Sequence, residues 1–130
     1  MEHQVSYTVY YEDTDSLGVV YHANYLKFME RGRSEFIKAS GRSVAEWNRD
    51  GVLIVVHTMT VKFRKAATLS EVLDVVSSFT LDSAYRGTFH QRVQRDGDLI
   101  VEADVVVVCI DGRQQLTEFP PDFRRLTANG

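Results

Sequence analysis

Between Ala23 and Ser40 the apolar residues fall into a helical step. Tyr25, Met29, Gly32 and Phe36 recur at helical spacing, and Leu26, Phe28 and Ile37 widen the stripe. Lys27, Glu30, Arg31, Ser34, Glu35 and Lys38 fill most of the other side. Asn24 or a neighbour is placed to cap the start, and Gly41 suits the stop. Gly32 in mid-helix costs of order 1 kcal/mol relative to Ala. On the apolar face it would let the helix lie close against a sheet.

Almost everything else with a pattern reads as strand. Val5–Tyr11 is the first, rich in β-branched and aromatic residues, and Glu12–Val20 is a loop. Ser43-Val-Ala-Glu46 is a capping box opening a short second helix through Trp47 that ends near Gly51. Strands follow at Val52–Phe63, Glu71–Leu81 and Arg86–Arg95. Asp96-Gly97-Asp98 turns into Leu99–Ile110, and Asp111-Gly112 turns into a short strand at Arg113–Thr117. Pro120-Pro121 ends regular pairing and leaves Asp122–Gly130 as a short turn or frayed tail. One long helix followed by short-turned antiparallel strands predicts an α+β layer architecture, as a single domain over residues 1–130.

The fifth strand carries a further expectation. Glu102 and Asp104 alternate with apolar neighbours, but from Val105 to Ile110 the alternation stops. A strand end apolar on both faces needs cover on both, and one helix covers only one. A second subunit is the simplest source of the other cover, so a homo-oligomer is expected.

A net charge of −3 gives no basic stripe for nucleic acid. The single cysteine, Cys109, lies in an apolar run and reads as a buried small hydrophobe. That usage fits a reducing, cytoplasmic compartment. Met1-Glu-His-Gln does not read as a signal peptide, and Val105–Ile110 is too short for a transmembrane segment.

Chemistry concentrates just before the long helix. Asp13 and Asp15 precede Gly18, and the helix begins a few residues later. A helix N-terminus carries unsatisfied amides and partial positive charge, which can hold a developing oxyanion. A carboxylate beside it can attack or activate water, and helix amides would keep it ionised. The bland reading is that Asp15 caps the loop or helix. Asp13 reads as a bonder of loop amides, and Gly18 as a backbone conformation closed to larger residues. A calcium loop would need different residues at Leu17 and Asn24, and an aspartate phosphatase would need a parallel sheet. No nucleophile elbow is present.

Tyr11, Asp13, Thr14, Asp15, Gly18, Val19, Val20, Tyr21, His22, Asn24, Tyr25, Glu30 and Arg33 together resemble a known pattern. It is that of the hotdog-fold acyl-CoA thioesterases of the 4-hydroxybenzoyl-CoA thioesterase type, closest to the Tol-Pal-associated short-chain enzymes. The resemblance implies a hotdog fold, a long helix wrapped by a curved antiparallel sheet. It implies acyl-CoA as substrate, with an acyl-carrier protein as a possible donor and no metal or redox cofactor. It implies a homodimer or homotetramer with the site at the subunit interface. Asp15 would be the catalytic carboxylate and the amide at His22 the oxyanion donor, with the His22 ring assisting. Tyr21, Asn24 and Tyr25 would line or cap the site. Glu30 and Arg33, at i,i+3 spacing, read as a helix-surface or interface ion pair.

Lys62, Arg64 and Lys65 form a basic cluster that could dock CoA phosphates or simply charge a strand edge. Ala66-Ala67 and Ser70-Glu71 stand where related chains often have Pro-Ala and Gly-Asp. The fold alone leaves open a non-catalytic hotdog module that binds acyl chains or a partner protein, or a hotdog dehydratase. The acyl group, short aliphatic or aromatic, is also open.

Overall fold

The computed structural model describes residues 1–127. Six strands and two helices follow in the order β1 (Glu2–Thr8), α1 (His22–Ala39), α2 (Val44–Arg49), β2 (Leu53–Phe63), β3 (Val72–Leu81), β4 (Arg86–Arg95), β5 (Asp98–Ile110) and β6 (Leu116–Thr117). Short 3₁₀ turns occupy Tyr11–Asp13 and Pro121–Leu126. The sheet is antiparallel with strand order β1-β3-β4-β5-β2, and β6 extends it beside the end of β5. Helix α1 crosses one face, against β1, β3 and β4. This is the α+β hotdog arrangement.

The first strand sits earlier than its apolar residues suggest. It pairs with β3 from Glu2↔Ser78 to Thr8↔Val72. The Asp13 carboxylate then accepts the Tyr10 N–H at 2.8 Å and draws the chain into the 3₁₀ turn. The sixth strand is two residues rather than five, because Asp111 accepts the Arg113 and Gln115 amides and bends the chain between them. The segment from Asp122 is not a frayed tail as far as Thr127. Phe123 and Leu126 are buried in the core, and residues 128–130 lie outside the described residues.

Helix α1 buries Tyr25, Phe28, Met29, Gly32, Phe36 and Ile37. A Cβ on Gly32 would meet Val75 Cγ1 at 2.6 Å, so only glycine lets the helix sit this close to β3. The packing gain there offsets glycine's helix penalty. The cap differs from expectation. Tyr21 is the N-cap residue and supplies no side-chain cap, while the Asn24 side chain reaches back to the preceding loop. Ser43 and Glu46 form the capping box of α2, with each side chain accepting the other's N–H.

The far end of α1 is an aromatic core. The Phe36 and Phe89 rings lie 5.5 Å apart, Phe79 and Phe89 4.9 Å, and Phe119 and Phe123 5.3 Å. Trp47 closes the cluster at 5.5 Å from Phe123. Cys109 is fully buried, and burial pushes its thiol pKa up. On the other face of β5, Val106, Val108 and Ile110 are only half-buried. Strand β2 is a free edge with Val55 and Val56 exposed. Among the described residues no helix is long and apolar enough to cross a membrane.

Candidate active site

The segment before α1 folds back on itself. Thr14 and Val20 form an antiparallel bridge, and Asp15 N–H donates to the Val19 carbonyl at 2.9 Å. Gly18 turns the chain at φ +80°, a conformation a side chain resists, and its N–H donates to the Asp15 carbonyl at 3.0 Å. Leu17, at the tip, is 83 % exposed. Asp15 Oδ1 accepts the Leu17 N–H at 2.9 Å, an Asx turn. The amide expected to steady this carboxylate thus comes from its own loop and not from the helix. Its Oδ2 accepts no hydrogen bond among the described residues.

Asp13 ties the loop to the helix. Its carbonyl accepts the Tyr21 N–H at 3.0 Å and the Asn24 Nδ2–H at 2.8 Å. Asn24 is therefore a strut between loop and helix. The His22 and Ala23 N–H groups have no hydrogen-bond partner among the described residues, as the first amides of a helix do when no side chain caps them. The exposed His22 ring lies 4.4 Å from the Tyr21 ring and 6.0 Å, edge-on, from Phe63. The loop and first turn at this end of α1 thus hold a carboxylate oxygen and two amides without hydrogen-bond partners among the described residues. Such a set can stabilise both the attack on a carbonyl and the oxyanion it makes.

This region rests on a second loop, residues 66–71. Val20 N–H donates to the Ala67 carbonyl at 2.8 Å, and Val19 bridges Thr68. Tyr25 lies beneath, 3 % exposed, and its hydroxyl accepts the Ala67 N–H at 3.1 Å. Burial raises its pKa, which keeps it a neutral phenol. Tyr25 thus lies beneath the loop and braces it. Arg95 clamps the same loop, donating to the Ala66 carbonyl and to Glu71, both at 3.0 Å. Glu71 also accepts the Thr68 N–H at 2.6 Å and hydroxyl at 2.8 Å. The Thr68 hydroxyl, with its amide and Arg95 behind it, holds the Glu71 pKa below the usual carboxylate range. Sequence reading missed Arg95, Glu71 and Thr68 as parts of the site. Their only sequence signal was the altered composition at Ala66-Ala67 and Ser70-Glu71.

The basic cluster is divided. Arg64 is paired with Glu102 at 2.7 Å and Lys65 with Asp98 at 3.5 Å. Lys62 faces a cleft of about 360 Å³ on the other face of the sheet, beside Thr60, His90, Arg92, Glu102 and Asp104. Phe63, one residue on, faces His22. Glu30 and Arg33 do not form the expected ion pair. Glu30 accepts from the Ser34 hydroxyl at 3.0 Å, and Arg33 reaches under the helix to Gln91 Oε1 at 3.0 Å. Arg33 turned inward because Gln91 is buried on β4 and offers it an oxygen. Among the described residues no cluster of His, Cys, Asp and Glu has the makings of a metal site.

Residues 9–126 match the thioesterase-like superfamily. The chain belongs to that family. Other thioesterases resemble it over most of their length. The acyl-CoA thioester hydrolase YbgC of Escherichia coli O157:H7 is 42% identical over 107 residues, covering 79% of this chain and 78% of the relative. The acyl-CoA thioesterase YbgC of Haemophilus influenzae is 35% identical over 118 residues, covering 89% and 87%. Among solved structures, a probable thioesterase from Bartonella henselae superposes with a TM-score of 0.86 at 30% identity, covering 92% of this chain and all of that one. A hotdog thioesterase whose candidate chemistry sits at the start of α1 is what this chain presents.

Proposed function

We propose that this thioesterase acts as a single domain on acyl-CoA thioesters, cleaving them to a free acid and CoA with Asp15 as the attacking or water-activating carboxylate. The observation that carries the reading is a free Asp15 oxygen in a loop tied to a helix start whose His22 and Ala23 amides are unpartnered among the described residues. In the nucleophilic route, Asp15 Oδ2 adds to the thioester carbon while a helix-start amide takes the oxyanion. The C–S bond then breaks, CoA thiolate leaves and picks up a proton, and water hydrolyses the acyl-aspartate to free the acid and Asp15. In the general-base route, Asp15 removes a proton from water as its oxygen adds to the same carbon with the same amide holding the oxyanion; the adduct collapses with C–S cleavage, and the proton on Asp15 passes to the departing CoA thiolate. Either route draws its power from groups aimed at charge that develops in the transition state, and needs neither metal nor redox cofactor. Tyr21 and the His22 ring flank the reacting thioester, and Asn24 and Tyr25 hold the loop in register.

The exposed edge of β2 and the half-covered end of β5 support a homodimer or homotetramer. The cytoplasm, where thiols stay reduced, suits the lone Cys109. An acyl-carrier protein is a second donor compatible with an open site, and Lys62, Arg64 and Lys65 are the groups assigned to CoA phosphates. Incubation of the pure protein with a panel of acyl-CoA thioesters, read by free-thiol release, tests the activity. Catalytic release from at least one short or aromatic acyl-CoA is expected. Binding without release would favour a non-catalytic acyl-binding module, and loss of water from a hydroxyacyl-CoA with the thioester intact would favour a dehydratase.

A further inference from the structure

The His22 ring is the least tethered side chain at the start of α1. It is exposed, and the histidine side-chain hydrogen bonds found among the described residues all belong to His90. As the first residue of the helix, it has no preceding helical turn to restrict its rotamer. Two rings lie beside it. Tyr21 is its chain neighbour, 4.4 Å away and tilted, and is itself exposed. Phe63 comes from the end of β2, 41 positions further along the chain, and meets the imidazole edge-on at 6.0 Å. An edge-on ring contact specifies orientation as well as distance.

Phe63 is held far more firmly than the ring it touches. It pairs with Val101, which is fully buried, and the next two amides, of Arg64 and Lys65, both donate to the Ile100 carbonyl, at 2.7 and 3.1 Å. Its ring also lies 6.0 Å from that of Tyr25. Tyr25 and His22 are three residues apart on one helix face, so Phe63 lies across the first turn of α1. One of its two helix neighbours is buried and bonded to the Ala67 amide, and the other is free in solvent. Phe63 is 49 % exposed, so it draws only part of the about 1.5–3 kcal/mol that full burial of such a side chain supplies. Its distinguishing feature is that it joins the fixed edge of the sheet to an otherwise loose imidazole.

We propose that Phe63 is a positioning residue of the thioesterase site: it fixes the orientation of the His22 ring beside the thioester, and its effect on turnover runs through that ring. The inference rests on the thioesterase reading above. An exposed side chain gives up rotamer freedom when it must take one orientation. A ring already fixed by Phe63 has given it up before the substrate arrives, which lowers the barrier of the chemical step. The effect therefore belongs in kcat. A Phe63 that served only as an apolar contact for the substrate would act in the ground state as well, and would show in KM.

The test is a double-mutant cycle in kcat, by thiol release from the acyl-CoA ester that the wild-type protein hydrolyses fastest. Phe63→Leu should lower kcat by about tenfold with KM and the thermal midpoint little changed, and Phe63→Tyr, which keeps the ring, should retain most of the rate. In a His22→Ala background, Phe63→Leu should have no further effect, so the coupling equals the whole of the single loss. Losses that multiply, a loss confined to KM, or a His22→Ala variant with the full wild-type rate would each overturn the proposal. A second readout needs no variant to fold. Vicinal NMR couplings across the first side-chain torsion of His22 should report one rotamer in the wild-type protein, and rotamer-averaged couplings there overturn the proposal. If acyl-CoA is hydrolysed and the losses multiply, only this proposal falls. If no ester is hydrolysed, the thioesterase reading falls with it.

Discussion

The two ends of α1 are built to opposite specifications. At the far end, Phe36, Phe79, Phe89, Phe123 and Trp47 pack ring against ring with almost no exposure. At the start, Tyr10, Tyr11, Leu17, Tyr21 and Phe63 are exposed, and hydrogen bonds hold the backbone over the buried Val20, Tyr25 and Ala67. Packing stabilises without direction, whereas hydrogen bonds fix positions. The helix can therefore draw stability from one end and keep polar groups open at the other. A site made this way depends on struts such as Asn24, Tyr25 and Arg95, which tie the loops to one another and to the helix.

The sharpest way to separate the ends is to remove function without fold. Asp15→Asn should lower kcat by ~10³-fold or more, within the range for central catalytic groups. Its thermal midpoint should stay close to that of the wild type, since the Asx turn survives in Asn. Residual activity above a tenth of wild type in a pure sample would end the case for Asp15.

The converse substitution is Phe89→Ala. Phe89 is 1 % exposed, and its loss should cost about 3–5 kcal/mol of stability. Denaturant unfolding reads the loss, and turnover per folded molecule should hold. A fall in kcat at temperatures where the variant is fully folded would mean the ends are coupled.

Arg95→Leu probes the strut between them. Its pair with Glu71 is partly exposed and adds little stability, at most about 1 kcal/mol. If its role is to hold loop 66–71, kcat should fall by roughly tenfold with the midpoint little changed, and Arg95→Lys should restore part of it. Equal losses in stability and rate, with no rescue, would make Arg95 merely structural. The acid limb follows from Glu71. Its pKa is held below the ordinary carboxylate value, so the clamp is complete above that ordinary value. It is lost as pH falls through the lowered one. Glu71→Gln should therefore remove a component of acid inactivation and lower activity at neutral pH.

The smallest effect is expected from Arg64→Ala with Lys65→Ala. Both already have carboxylate partners, so the pair should raise KM for acyl-CoA only a few-fold, fading at high salt. A short thioester lacking the nucleotide should show no change. Equal changes for both substrates would detach the cluster from CoA.

Much of this was legible in the chain. The 3.6-residue step of α1, the Ser43–Glu46 box and the run of β3, β4 and β5 are local patterns that need no partner to be recognised. The candidate loop was legible for a similar reason, since Asp13, Asp15, Gly18 and the helix start are neighbours in sequence. Gly32 announced a close approach, although Val75 could not be named. What the sequence withheld depends on distant residues meeting. Asn24 looked like a cap and became a strut because Asp13 O came within reach. Tyr25 could be placed near the site, but not its bond to the Ala67 amide, 42 positions away. Arg33 looked like Glu30's partner and turned to Gln91, 58 positions away. Local propensity and periodicity act within a few residues. A hydrogen bond is won by whichever donor and acceptor the packed core brings to about 3 Å, and that was settled only when the sheet closed around the helix.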